Sequence, residues 1–261
     1  MASIFIYNRT RGKCVELCTP RIAEEDIAQL KSALPNNLEG ISFASPIDSF
    51  EDKTVSEVRI EDRESRVAEY LKSIGNKLEQ LQQMPGAIRF YDLAFRLSGS
   101  SEVLMMKARA LSQYGQADQA TRLLNRVADK HPDAPEPHFM YGKLALSRAD
   151  YAQAQAHFAA AQSRLRASNV EHKRLAEILA VYERFVAIYL DRDQLFTRDL
   201  EHDACVAEIR RLRQRAQALM RDIHSHSSAE IQGMGFFLET QDKIFEKWLD
   251  EMGAPREESP A

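Results

Sequence analysis

From about residue 65 onward, apolar residues return at intervals of three and four. Leu71, Ile74 and Leu78 form one such set, and Leu104, Ala108 and Leu111 another. Leu175, Ile178, Tyr182, Phe185 and Tyr189 continue the pattern, followed by Cys205, Ile209, Leu212, Ala216, Leu219 and Ile223. Ile231, Met234, Leu238, Gln241, Phe245 and Trp248 close it. This spacing lays an apolar stripe along one side of a helix and predicts a mainly α chain. The last sets predict helices of about 25 residues, roughly 37 Å long. The short polar stretch His224 to Ser228 joins two of them as an αα-hairpin. Gln241 is the polar exception on its stripe and could specify a helix register.

The first 64 residues read differently. Residues 3–7 and 13–18 are rich in β-branched and aromatic side chains and predict two strands around a turn-like Asn8 to Gly12. Pro20 suits the first turn of a helix whose face carries Ile22, Ile27, Leu30 and Leu34. Residues 40–44 suggest a third strand, and 46–66 form an acidic connector. The expected organisation is 1–64 as a small α/β region with its connector, 65–168 as helical repeats, 169–252 as long capping or bundling helices, and 253–261 as a frayed tail.

Within 65–168 the pattern repeats. Ala87, Ala120 and Ala154 lie 33 and then 34 residues apart, each in a similar frame. Small residues recur where two helices must approach, as at Gly75, Ala108 and Gly142, and large ones where neighbours pack. This resembles the tetratricopeptide repeat over roughly residues 68–168. Leu71, Leu104 and His138 stand where that family has an aromatic, Lys107 replaces a leucine, and the closing proline is present only as Pro132. The resemblance implies a helical-repeat solenoid with a small β-containing N-terminal segment and long C-terminal helices.

It also implies a concave groove lined by the first helix of each repeat. In the first repeat this face carries Lys72, Asn76 and Glu79; in the second, Met105, Met106 and Arg109; in the third, Phe139, Met140 and Lys143. Lys72 and Asn76 match two positions of the family's carboxylate clamp. Met106, Glu136 and Met140 occupy the other three and supply no donor, so a clamp is not expected. What the resemblance leaves is an apolar floor of Met105, Met106, Phe139 and Met140 flanked by Arg109 and Lys143. Methionine suits varied apolar partners, and the expected ligand is a protein or peptide segment with apolar anchors and some acidic residues. The competing expectation is that residues 171–190 or the N-terminal segment cover this face.

Composition narrows the chemistry. The formal net charge is −4 and the pI about 6.0, which disfavours a nucleic-acid partner. No apolar run approaches the ~20 residues of a membrane span, and the start lacks the features of a secretory signal, so a cytoplasmic location is expected. Cys14, Cys18 and Cys205 are too sparse for a disulfide framework. Cys14 and Cys18 lack companion ligands for zinc; His224 and His226 would need further ligands such as Asp222 or Glu230 and read as solvated rings in a short polar turn. The arginines at 210, 211, 213 and 215 read as a solvated helix face. No phosphate-binding glycine loop, nucleophile elbow or zinc-protease helix is present. The chain is therefore expected to be a non-enzymatic adaptor or chaperone without metal or cofactor. The alternatives are a structural subunit docking through its N-terminal strands or C-terminal hairpin, and a peptide-responsive signalling regulator. The oligomeric state is left open.

Overall fold

Turns between helices decide where this chain reverses, and three of them share one geometry. The computed structural model describes residues 3–8, 13–18, 24–33, 41–44, 63–168, 173–226 and 229–254. Helices α2 (Arg63–Gln80) and α3 (Met84–Ser98), α4 (Ser101–Gln113) and α5 (Ala117–Lys130), and α6 (Pro135–Ser147) and α7 (Tyr151–Ala167) form successive pairs. The turn inside each pair carries one residue in the left-handed region: Gln82 at φ 59°, Gly115 at φ 82° and Ala149 at φ 56°. In each, the next amide reaches back across the turn. Gln83 N donates to Leu78 O at 2.8 Å, Gln116 N to Leu111 O at 2.8 Å, and Asp150 N to Ala145 O at 3.0 Å. This is a Schellman closure, which satisfies carbonyls that the helix end leaves open. The three left-handed residues follow the 33- and 34-residue spacing of Ala87, Ala120 and Ala154.

The two helices of a pair are held by a small residue on one and a large ring on the other. A methyl group built on Gly75 would meet the Tyr91 ring at 2.6 Å, and one on Gly142 would meet Phe158 Cδ1 at 2.6 Å. The middle pair places Ala108 and Leu124 at the same positions, both fully buried. Where the first helix gains a methyl group, the second loses a ring.

The chain divides into two compact units, Met1–Lys130 and His131–Ala261. The division falls inside the stretch 65–168 that the sequence treats as one block. In the first unit, strands β1 (Ser3–Asn8), β2 (Lys13–Cys18) and β3 (Ile41–Ala44) form an antiparallel sheet of order β2-β1-β3, with Ser3 opposite Cys18 and Phe5 opposite Ala44. Helix α1 (Glu24–Ala33) packs on α3. Leu30 enters the core there, Arg96 Nη2 donates to Asp26 Oδ1 at 2.6 Å, and Arg89 Nη1 donates to Gln29 O at 3.4 Å. Leu71, Ile74, Leu78, Phe90 and Tyr91 are among the residues that fill this core.

In the second unit α6 packs on α7, and α7 on α8 (Lys173–Leu195); α8 then packs on α9 (His202–His224), and α9 on α10 (Ala229–Glu251). The core runs through Phe158, Leu179, Val186, Ile209, Leu212, Leu219, Leu238 and Phe245. Gln241, the polar break in the last stripe, is 1% exposed. Its Oε1 accepts from Arg192 Nη1 at 2.7 Å. Tyr189 Oη donates to Phe237 O at 3.1 Å. The polar residue thus pairs α10 with α8 of the same chain. Cys14 and Cys18 lie on β2, but their side chains fall outside the described residues, as does the junction 45–62.

Candidate functional site

Five of the eight residues singled out from the sequence lie in the first unit, on α2 and α4. They sit around a part-buried polar network. Glu79 is only 9% exposed, and its carboxylate accepts from Arg109 Nε at 2.6 Å and Nη2 at 2.9 Å. Such a two-point pairing suits the planar guanidinium. Tyr91 Oη, reaching from α3 through the space left by Gly75, lies 2.8 Å from Glu79 Oε2 and 2.6 Å from the Asn76 side-chain oxygen position. One hydroxyl proton cannot serve two acceptors. Every group is satisfied when Tyr91 donates to Glu79 and Asn76 turns its amide N–H toward Tyr91 Oη. Burial, and then the Glu79 charge, push the Tyr91 hydroxyl well above the ordinary phenol range. The hydrogen bond to Glu79 raises Arg109 in turn. Tyr91 thus keeps its proton and Arg109 its charge throughout the physiological range.

Lys72 belongs to a second set of contacts. Its Nζ lies 2.6 Å from Glu69 Oε2 and 3.3 Å from Glu102 Oε1, so it ties α2 to α4. The hydrogen bond it donates to Glu69 is the main cause that raises its pKa. Lys72 and Arg109 are therefore already answered by carboxylates of the same unit. Met105 and Met106 beside them are half-buried, and Met106 packs against the edge of the first core. The resulting face has apolar, flexible side chains and cations that are spoken for.

The second unit departs from the expected floor. Met140 is buried, 6% exposed. Phe139 is half-buried, 5.8 Å from the Phe158 ring and 5.2 Å from the Tyr182 ring in an edge-to-face arrangement. Lys143 Nζ stands 5.7 Å from the Phe139 ring centroid and 6.0 Å from that of Tyr182. Tyr182 of α8 thus lies against Phe139 and Lys143, and Met140 is buried rather than part of an open floor. The physical reason is that α8 brings Tyr182 to Phe139, and an aromatic pair gains more from burial together than from exposure. The expectation that acidic residues of a partner meet Arg109 also changes, because Glu79 already holds the Nε–Nη2 edge of its guanidinium.

Other candidate groups resolve into internal contacts. Arg213 lies 3.0 Å from Asp242 on α10, Arg215 2.6 Å from Asp191 on α8, and Arg211 3.5 Å from Glu208. Arg213 and Arg215 are braces between helices, not a solvated stripe. His224 Nδ1 lies 2.7 Å from Met220 O of its own helix. Among the described residues, no cluster of three or more His, Cys, Asp or Glu could hold a metal ion. Among them, too, no helix is long and apolar enough to cross a membrane.

Two features escaped the sequence reading. Glu79 was read only as one position on the groove face, and its spacing of 30 residues from Arg109 was the only trace of the pair. Phe236 and Phe237, 70% and 57% exposed on α10, lie off the stripe of Ile231, Met234 and Leu238. That offset was visible in the sequence as two adjacent aromatics outside the apolar register.

The tetratricopeptide repeat family model matches residues 101–144, which contain α4, its Schellman turn, α5 and most of α6. Residues 101–144 thus carry a tetratricopeptide-repeat sequence. None of the curated proteins compared with it matches. Among solved structures, it is similar to the type III secretion chaperone SycD of Yersinia enterocolitica in complex with a peptide of the translocator YopD. That match has 19% identity and a TM-score of 0.40, over 46% of this chain and 92% of that one. It is also similar to the tetratricopeptide domain of Arabidopsis OM64, at 19% identity and a TM-score of 0.39 over 48% of this chain and 97% of that one. The MamA protein matches over 72% of this chain and 91% of its own, at 13% identity and a TM-score of 0.39.

Proposed function

We propose that this tetratricopeptide-repeat protein is a non-enzymatic adaptor or chaperone that holds a segment of a partner protein against the α2–α4 face. The observation that carries the reading is the pair of half-buried methionines, Met105 and Met106, beside cations that the unit itself neutralises. A segment that presents apolar side chains matches this face. An acidic tail fits it less well, because Lys72 already faces Glu69 and Glu102, and Glu79 holds one edge of the Arg109 guanidinium. Flexible thioethers adapt to anchors of differing shape at little cost in strain.

A photo-crosslinking residue placed at Met106, with a second protein carrying it at exposed Gln119 as control, tests the reading in cell extract. The expected result is one or more partners joined at position 106 and absent at 119, with capture lost in Met106→Glu at unchanged circular dichroism and melting. The same partner set from wild type and Met106→Glu would overturn it. If those partners are instead lost in Phe236→Ser/Phe237→Ser, the chain is better read as an assembly subunit docking through its C-terminal hairpin.

A further inference from the structure

Helices α6 and α7 carry a group of rings that the proposed binding face does not use. His138 and Tyr141 come from α6, and His157 from α7. The two imidazole centroids lie 5.9 Å apart, and Tyr141 sits 5.9 Å from His138 and 5.2 Å from His157. His138 Nδ1 is buried and has no hydrogen-bond partner. This pair stands at the seam between the two helices of one repeat, near the residues that build its interior, Gly142 and Phe158.

We infer that His138 and His157 form an acid-sensitive joint, which keeps α6 and α7 closed while both imidazoles are neutral and loosens when either takes up a proton. The charges that act on His138 are those of Arg164 and His157, both on α7, and Tyr141 is the titratable neighbour on its own helix. Neither of those charges is a carboxylate. Arg164 is itself held by carbonyls, with Nε donating to Pro132 O at 3.0 Å and Nη1 to Ala160 O at 3.2 Å, so its position is fixed. A proton added to His138 therefore meets a fixed cation and a second imidazole in a part-desolvated seam.

Burial is the leading cause that lowers both imidazoles below their ordinary value, and Arg164 adds to it for His138. The unfolded chain then binds protons more readily than the folded one. Stability contributed by the pair is complete above the ordinary imidazole value of about 6.5 and declines as pH falls through it.

Hydrogen exchange of the full chain at pH 7.5 and 5.5, corrected for intrinsic rates, tests this. Protection of residues 135–167 should fall at least about threefold on acidification, while residues 84–113 of the first unit hold theirs. The double variant His138→Phe/His157→Gln should lose the acid response. An independent reading that needs no variant is the NMR titration of the two imidazoles in the wild type, both with midpoints below about 6.5. The proposal is overturned by unchanged protection of 135–167 in the wild type, by a fall that persists in the double variant, or by either imidazole titrating at or above the ordinary value.

Discussion

At the scale of single residues, packing between paired helices is a trade of volume. Gly75 faces Tyr91, Gly142 faces Phe158, and Ala108 and Leu124 hold the same positions in the middle repeat. Gly142→Ala should therefore destabilise the protein by about 1–3 kcal/mol through overpacking, read as a lower denaturant midpoint. Phe158→Leu alone should also destabilise, by leaving a void. The double variant Gly142→Ala/Phe158→Leu should recover part of the loss, because it recreates the pairing of the middle repeat. A double-mutant cycle measures that coupling, and strict additivity of the two losses would show that the rings do not set the helix spacing. A second residue-scale expectation concerns the buried carboxylate. Arg109→Ala strands Glu79 and should cost about 2 kcal/mol after allowance for the partial exposure of Arg109. Glu79→Gln keeps an acceptor for both Tyr91 and Arg109 and should cost less. Equal losses in urea unfolding would count against the network as described.

At the scale of elements, the same turn is built three times from different residues. Only the middle one has glycine, Gly115, at the left-handed position; Gln82 and Ala149 bear the strain of a Cβ there. Ala149→Gly should stabilise by up to about 1 kcal/mol, and Gly115→Ala should destabilise by a similar amount. No atom lies within 4 Å of a methyl group on Gly115, so the backbone alone sets the effect. Thermal melting of the two variants should move in opposite directions. Helix α7 adds a further check, because Asp150 caps it by accepting from Gln153 N at 3.0 Å. Asp150→Ala should cost about 1 kcal/mol.

At the scale of the whole molecule, each compact unit has its own apolar cluster, one centred on α2 and α3 and the other running from α6 to α10. Leu238 lies fully buried in the second. Leu238→Ala should cost about 2–5 kcal/mol, and hydrogen exchange should place the loss of protection in residues 173–251. A loss spread equally over residues 63–113 would mean that the two clusters unfold together. The proposed binding face belongs to the first unit, so Leu238→Ala should leave crosslinking at position 106 intact at temperatures below its melting transition.

Much of this architecture was legible before any coordinate. Apolar residues at three- and four-residue spacing locate helices because a helix that cannot bury a stripe is not stable in water. The recurrence of Ala87, Ala120 and Ala154 located the paired helices because their close approach admits only a small side chain. Those are local or periodic constraints, and a linear sequence records them directly. Partnership between distant residues is not recorded in that way. That Glu79 takes Arg109, that Gln241 takes Arg192, and that Arg213 and Arg215 brace neighbouring helices depend on which faces meet. That α8 lays Tyr182 on Phe139 and beside Lys143 depends on where a later helix packs. Sequence alone determined the helices, their turns and the repeat; tertiary packing decided which of the polar and apolar residues between them remain available, because availability belongs to surfaces left uncovered and not to residues in a row.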